Sequence, residues 1–141
     1  MKIVLDTNVL ISAFINPYGK PARVLKLILT GKVDIILDER IIGEYTEVAR
    51  RPKFGLPADE VNIILDFLRK HGIIPLPYDH TPIFLPDSDD IPFIEVAVSG
   101  NADAIVTGNK KHFPRKSTHN IKISSADEFL ESFYHNHLVN Q

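Results

Sequence analysis

Cysteine is absent from this 141-residue chain, which excludes disulfides, thiolate metal sites and thiol nucleophiles together. Long apolar runs are missing as well. None approaches the ~20 residues of a membrane-spanning helix, and Ile3-Val4-Leu5 before Asp6 is too short for the apolar core of a signal peptide. Charge of one sign is not in excess. Sixteen Lys/Arg against eighteen Asp/Glu leave a formal net charge of −2, which argues against a protein that coats nucleic acid through bulk charge. There is no internal repeat, no low-complexity segment, no Gly-rich dinucleotide or Walker motif, and no serine in a nucleophile-elbow context. The expectation is a soluble, cytoplasmic domain with no membrane segment. Its length suits one domain with a real core.

What is present is a segregation of charge that the total conceals. Asp79, Asp87, Asp89, Asp90, Glu95 and Asp103 fall between residues 79 and 109 with no Lys or Arg among them. Lys110, Lys111, Arg115, Lys116 and Lys122 follow with no acid. Crowded like charges destabilise a fold unless something neutralises them. The two blocks read either as solvated loops that neutralise each other or as a cation site beside an anion-binding rim.

Lys2–Leu5, Val33–Leu37 and Ala104–Thr107 are short Ile/Val-rich runs, the pattern of strands covered on both faces. Ile73–Leu76 and Ile121–Ile123 are weaker strand candidates. Helical spacing of apolar residues marks Pro21–Thr30, Glu39–Arg51, Ala58–Lys70, Ile91–Ser99 and Ala126–Tyr134, with Pro at several starts and Gly at several ends. Strands alternating with helices imply a three-layer α/β/α domain with a parallel sheet. Five of the ten prolines lie in residues 75–92, read here as a long loop inside one domain. In such sheets ligands bind outside the carboxyl ends of the strands.

That rule selects particular acids. Asp6 directly follows the first strand, where an unpaired carboxylate is costly. Either a cation neutralises it or it caps the next helix. Asp38 follows the second strand in the same way and opens a helix, so a cap accounts for it. On the helix after Asp38, Ile41, Ile42, Tyr45, Val48 and Ala49 form the apolar face. At about 100° per residue, Glu44 falls at the edge of that face and Glu47 points away. Alone, Glu44 reads as a boundary residue. Asp90 precedes Phe93, Ile94 and Ala97 on the inward face of its helix. Asp87 and Asp89 suit helix-start capping, Glu95 is expected to be exposed, and Asp103 belongs at the opposite end of its strand. Asp6, Glu44 and Asp90 thus converge on one rim, with Asn109 arriving after Thr107-Gly108. Oxygen ligands of this kind suit Mg²⁺ or Mn²⁺ rather than zinc, and such ions stabilise phosphoryl oxygens and activate water. The basic stretch from Lys110 would hold a phosphate backbone. Arg50, Arg51 and Lys53 either extend that face or solvate a helix end. His112 and His119 sit in the basic segment and read either as phosphate contacts or as loop residues with no specific task, and the His135/His137 pair reads as solvated rather than as a metal site.

These residues stand in a familiar order. Val4-Leu5-Asp6-Thr7-Asn8-Val9-Leu10, then Glu44, then Asp90-Ile91-Pro92-Phe93-Ile94-Glu95-Val96-Ala97, then Ala102-Asp103-Ala104-Ile105-Val106-Thr107-Gly108-Asn109, resemble the successive motifs of PIN-domain ribonucleases. Thr107-Gly108-Asn109-Lys110-Lys111-His112-Phe113-Pro114 resembles the branch of toxins from toxin–antitoxin pairs. The resemblance runs from Lys2 to about Phe133, and the four motifs in sequence are far more specific than any one of them.

The resemblance implies a single PIN-like domain over residues 1–141, with 135–141 a terminal tail, and about five parallel strands in the order 3-2-1-4-5. It implies a Mg²⁺- or Mn²⁺-dependent endoribonuclease in which Asp6, Glu44 and Asp90 are catalytic metal ligands. Asn109 completes the metal set, Asn8 and Thr107 support it, and Lys110, Lys111 and Arg115 contact RNA. The implied partners are RNA, a cognate antitoxin protein and a second copy of the chain in a homodimer. Asn109 departs from the Asp usual at that position, offering a carbonyl oxygen without charge, so weaker metal affinity is expected. The alternative reading is a catalytically weak or silent PIN-like module that binds RNA or protein. A phosphate-receiving signalling domain of similar topology lacks support, because no paired acids follow the first strand.

Overall fold

The computed structural model describes residues 1–115 and 118–139; Lys116 of the basic stretch lies outside them. The elements run β1 (Lys2–Leu5), α1 (Thr7–Ile15), α2 (Lys20–Leu29), β2 (Asp34–Ile35), α3 (Glu39–Ala49), α4 (Ala58–His71), α5 (Ile91–Ser99), β3 (Ala104–Val106), β4 (Ile123–Ser124) and α6 (Ala126–Val139). All strand pairings are parallel and the sheet order is β2-β1-β3-β4. Helices α1, α2 and α6 pack together as one layer, and α3 joins α4 and α5 in the other. Ile3, Val4 and Leu5 are wholly buried, as a central strand covered on both faces must be.

The order is the expected one, with the third expected strand reduced to a single bridge. Ile73 pairs with Ile36, its N–H donating to the Ile35 carbonyl at 2.8 Å and its carbonyl accepting from Leu37 N–H at 3.0 Å. Pro75 and Pro77 then offer no N–H, so the ladder cannot continue. The sheet therefore has four strands rather than five. Two helices also differ from expectation. The first, α1, carries no clean amphipathic stripe, because Thr7, Val9, Leu10, Ile11 and Ala13 are buried around most of its circumference. The last, α6, continues through Val139, so most of the expected tail is helical. Residues 74–87 form one long loop held within the domain by buried Ile83.

One side chain ties the helical layer to the site-bearing strand. Tyr45 of α3 is fully buried, and its hydroxyl donates to the carbonyl of Leu5, the last residue of β1. Removing the hydroxyl leaves that carbonyl buried and unsatisfied. Tyr45→Phe is expected to lose about 1–3 kcal/mol of stability, measured by urea denaturation monitored by circular dichroism.

Candidate metal centre

The carboxyl ends of β1, β2 and β3 each deliver a polar residue to one rim, but the residues have different duties. Asp38, after β2, caps α3: its Oδ1 accepts from Arg40 N–H at 3.0 Å and from Ile41 N–H at 3.2 Å. The Arg40 guanidinium then binds Asp38 Oδ2 at 3.0 and 2.9 Å and Glu95 Oε1 at 2.5 Å. Glu95 is consequently half-buried and paired, not exposed as its helical position suggested. The partner comes from another helix, which periodicity within α5 cannot reveal.

Asp6 occupies the same local context after β1, yet its side chain caps nothing. Its backbone N–H continues the ladder to the Val106 carbonyl at 2.9 Å. Its Oδ2 accepts from the Thr107 hydroxyl at 2.7 Å. Thr107 is buried and its Oγ1 also accepts from Asn109 N–H at 3.1 Å, so one hydroxyl locks the tips of β1 and β3 together. Burial raises the Asp6 pKa, with Thr107 first among the opposing influences.

Glu44 stands half-buried on α3 and accepts a hydrogen bond from the Thr7 hydroxyl. Its position at the edge of the apolar face is the one the helical wheel gave. Glu47 is exposed and pairs with Arg51 at 2.9 Å. Asn8, one residue from Thr7, is exposed, so Thr7 makes the connection to Glu44. Burial raises the Glu44 pKa, and the Asp6, Asp89 and Asp87 charges add to that rise.

Asp90 lies at the start of α5 and is 7% exposed. Its Oδ2 is buried without a hydrogen-bond partner, and His112 Nδ1 stands 3.6 Å from it. Burial first, then the negative charge of Asp6, push its pKa up to about 6. Asp87 caps the turn before it, accepting from Asp89 N–H at 2.9 Å. Asp103 sits at the far end of β3, where it accepts from Lys2 N–H at 2.8 Å.

Asn109 is exposed and caps the short 3₁₀ turn Lys110–His112 through Lys111 N–H at 3.2 Å. Its Nδ2 lies 3.1 Å from His112 Nε2. His112 thus spans Asn109 and Asp90, a role the sequence reading missed. The offset of three residues in a tight turn was its only trace. The Lys110 ammonium pairs with Glu128 of α6 at 2.5 Å, holding that carboxylate down to about 2. Lys110, Phe113, Arg115 and Lys122 line a cleft of about 720 Å³.

Asp6, Glu44 and Asp90 feel one another's charge, and among the described residues no Lys or Arg is ion-paired to any of them. Nor do any three His, Asp or Glu among those residues close into a complete metal cage. An orphaned, buried carboxylate oxygen beside a second buried carboxylate nevertheless fits a hard divalent cation, which keeps several waters and needs few protein ligands.

The PIN domain family model matches residues 2–111. The chain belongs to the PIN-domain family. An uncharacterized protein of Methanocaldococcus jannaschii, MJ1680, is 30% identical over 94% of this chain and 92% of its own length. The fold is similar to that in the crystal structure of VapBC2 from Rickettsia felis bound to a DNA fragment from their promoter. That likeness has a TM-score of 0.54 at 18% identity, over 89% of this chain and 98% of the other. For this PIN domain, the matched segment ends at Lys111 and contains Asp6, Glu44, Asp90 and Asn109.

The raised pKa of Asp90 has a consequence for stability. Between pH ~4 and ~6 the folded, metal-free chain keeps a proton that the unfolded chain has released, so stability falls as pH rises through that window and levels off above it. Asp90→Asn is therefore expected to stabilise the metal-free protein at pH 7.5, on the order of 1–3 kcal/mol. The gain should vanish near pH 4. Thermal unfolding in a chelating buffer at the two pH values measures this.

Proposed function

We propose that this PIN domain is a divalent-metal-dependent endoribonuclease and the toxin of a toxin–antitoxin pair. The observation that carries the reading is the buried, unpartnered Oδ2 of Asp90 beside Asp6, two carboxylates to which no Lys or Arg among the described residues is bound. Asp6, Glu44 and Asp90 would hold Mg²⁺ or Mn²⁺. When bound, the ion supplies charge neutralisation at phosphoryl oxygens and a more acidic water.

The remaining work belongs to the chain. Thr107 orients Asp6 through Oδ2, and Thr7 orients Glu44. Each hydroxyl fixes a carboxylate without neutralising it, so the negative charge remains available to the ion. Asp90 needs no such donor, because its burial at the first turn of α5 fixes it. Lys110, Lys111 and Arg115 would receive the phosphate backbone, which positions RNA without choosing its sequence. The pairing of Lys110 with Glu128 is exposed on both sides. It is therefore worth little and exchanges readily for a phosphate. The likeness to VapBC2, solved with promoter DNA, supports a small DNA-binding antitoxin as partner, and a second copy of this chain completes the assembly as a homodimer.

The test is cleavage of end-labelled RNA with added Mn²⁺ or Mg²⁺. Wild type should cleave; Asp6→Asn should lose about 100-fold or more, and Thr107→Val about 10–100-fold as expected for an orienting partner. Cleavage that survives chelation would overturn the proposal. RNA binding without cleavage under either metal would instead point to a silent binding module.

A further inference from the structure

The fourth position of the acidic set is where this chain departs from the pattern it resembles, and there the side chains are arranged in an unexpected way. Asn109 is occupied with its own turn, while three residues later His112 turns its Nδ1 toward Asp90. We propose that His112 is an imidazole ligand of the same divalent ion, with Asn109 as its outer hydrogen-bond partner, and that the site therefore prefers Mn²⁺ to Mg²⁺. This rests on the metal-dependent reading above.

Asp90 is 7% exposed and its Oδ2 has no hydrogen-bond partner. His112 Nδ1 stands 3.6 Å from that oxygen, too far for a hydrogen bond. Two donors gripping one ion with bonds of about 2.1 Å sit about 3 Å apart at adjacent octahedral corners. The pair is thus within roughly half an ångström of a shared shell. In a 3₁₀ turn, residues three apart lie side by side, which is why a cap at 109 and a ring at 112 meet.

Asn109 explains how the ring could present the right nitrogen. A metal-bound histidine donates its other N–H to an acceptor that fixes its tautomer. Asn109 lies 3.1 Å from Nε2, and an amide can present either end. In the metal-free chain Oδ1 caps Lys111 N–H and Nδ2 faces Nε2; loading the ion turns the amide over, gives up that cap, and leaves Oδ1 on Nε2–H with the Nδ1 lone pair toward Asp90. On this account Asn109 is not a weakened metal ligand. It orients the ligand that replaces the usual carboxylate. An imidazole nitrogen favours Mn²⁺ and the later transition ions over Mg²⁺, which prefers an all-oxygen shell.

The full chain, stripped of metal and loaded with one equivalent of Mn²⁺, should show nitrogen-14 coupling in pulsed electron paramagnetic resonance. His112→Ala should lose that coupling while keeping the wild-type circular dichroism and melting curve. Competition should give wild type about a ten-fold or greater preference for Mn²⁺ over Mg²⁺, most of which His112→Ala loses. Bound Mn²⁺ without nitrogen coupling, or coupling that persists in His112→Ala, overturns the assignment of His112 even if RNA is still cleaved. If wild type binds no Mn²⁺ at all, the metal-dependent reading falls together with it.

Discussion

The constraint on which the rest of this structure depends is the placing of two carboxylates, Asp6 and Asp90, inside the protein with no Lys or Arg among the described residues bound to either. A buried ionised carboxylate is tolerated only when paired, hydrogen-bonded or neutralised. This fold can neutralise an acid when the architecture calls for it. One strand away, Asp38 and Glu95 both bind the Arg40 guanidinium. At the tips of β1 and β3 the partners are hydroxyls, which fix a carboxylate while leaving its charge intact. The rim thus holds one satisfied cluster and one unsatisfied cluster a few residues apart, and the unsatisfied one keeps a cost that a well-paired interior would not carry.

The sheet order determines where that cost is placed. With β2 and β3 on either side of β1, the connections leave the sheet in opposite directions, and a crevice opens at the carboxyl ends. Asp6 and Thr107 sit on the two strands that border it, α3 brings Glu44 from one side, and α5 brings Asp90 at its first turn. None of these side chains needs a special backbone conformation. Their placement follows from strand order, from the second turn of α3 and from the start of α5.

Much of this was legible because the signals were local. Three apolar runs marked three strands, the edge position of Glu44 followed from its place among Ile41, Ile42 and Tyr45, and the inward start of Asp90 followed from Phe93, Ile94 and Ala97. Illegible features depended on neighbours in space. The third expected strand failed because Pro75 and Pro77 interrupt a ladder whose apolar pattern still read as a strand. Helix α1 went unmarked because it is buried around most of its girth, which erases the periodicity that reveals an amphipathic helix. Glu95 looked free until Arg40 arrived from α3. His112 looked idle because its two contacts run through a 3₁₀ cap on one side and through a different helix on the other.

The bond between Thr107 and Asp6 joins residues 101 positions apart, and the far end of β1 is clasped over the same span by Asp103 and Lys2. β1 therefore waits for β3 before Asp6 and the Lys2 N–H find these partners. During vectorial synthesis the leading part of the molecule can collapse around β1, β2 and α3, but its acids have no common rim until the segment through His112 has left the exit tunnel. Helix α6 then packs against β3 and β4 at the finished edge. A ribosome producing this protein accordingly carries an unassembled site until β3 and the turn that follows it have emerged and docked beside β1.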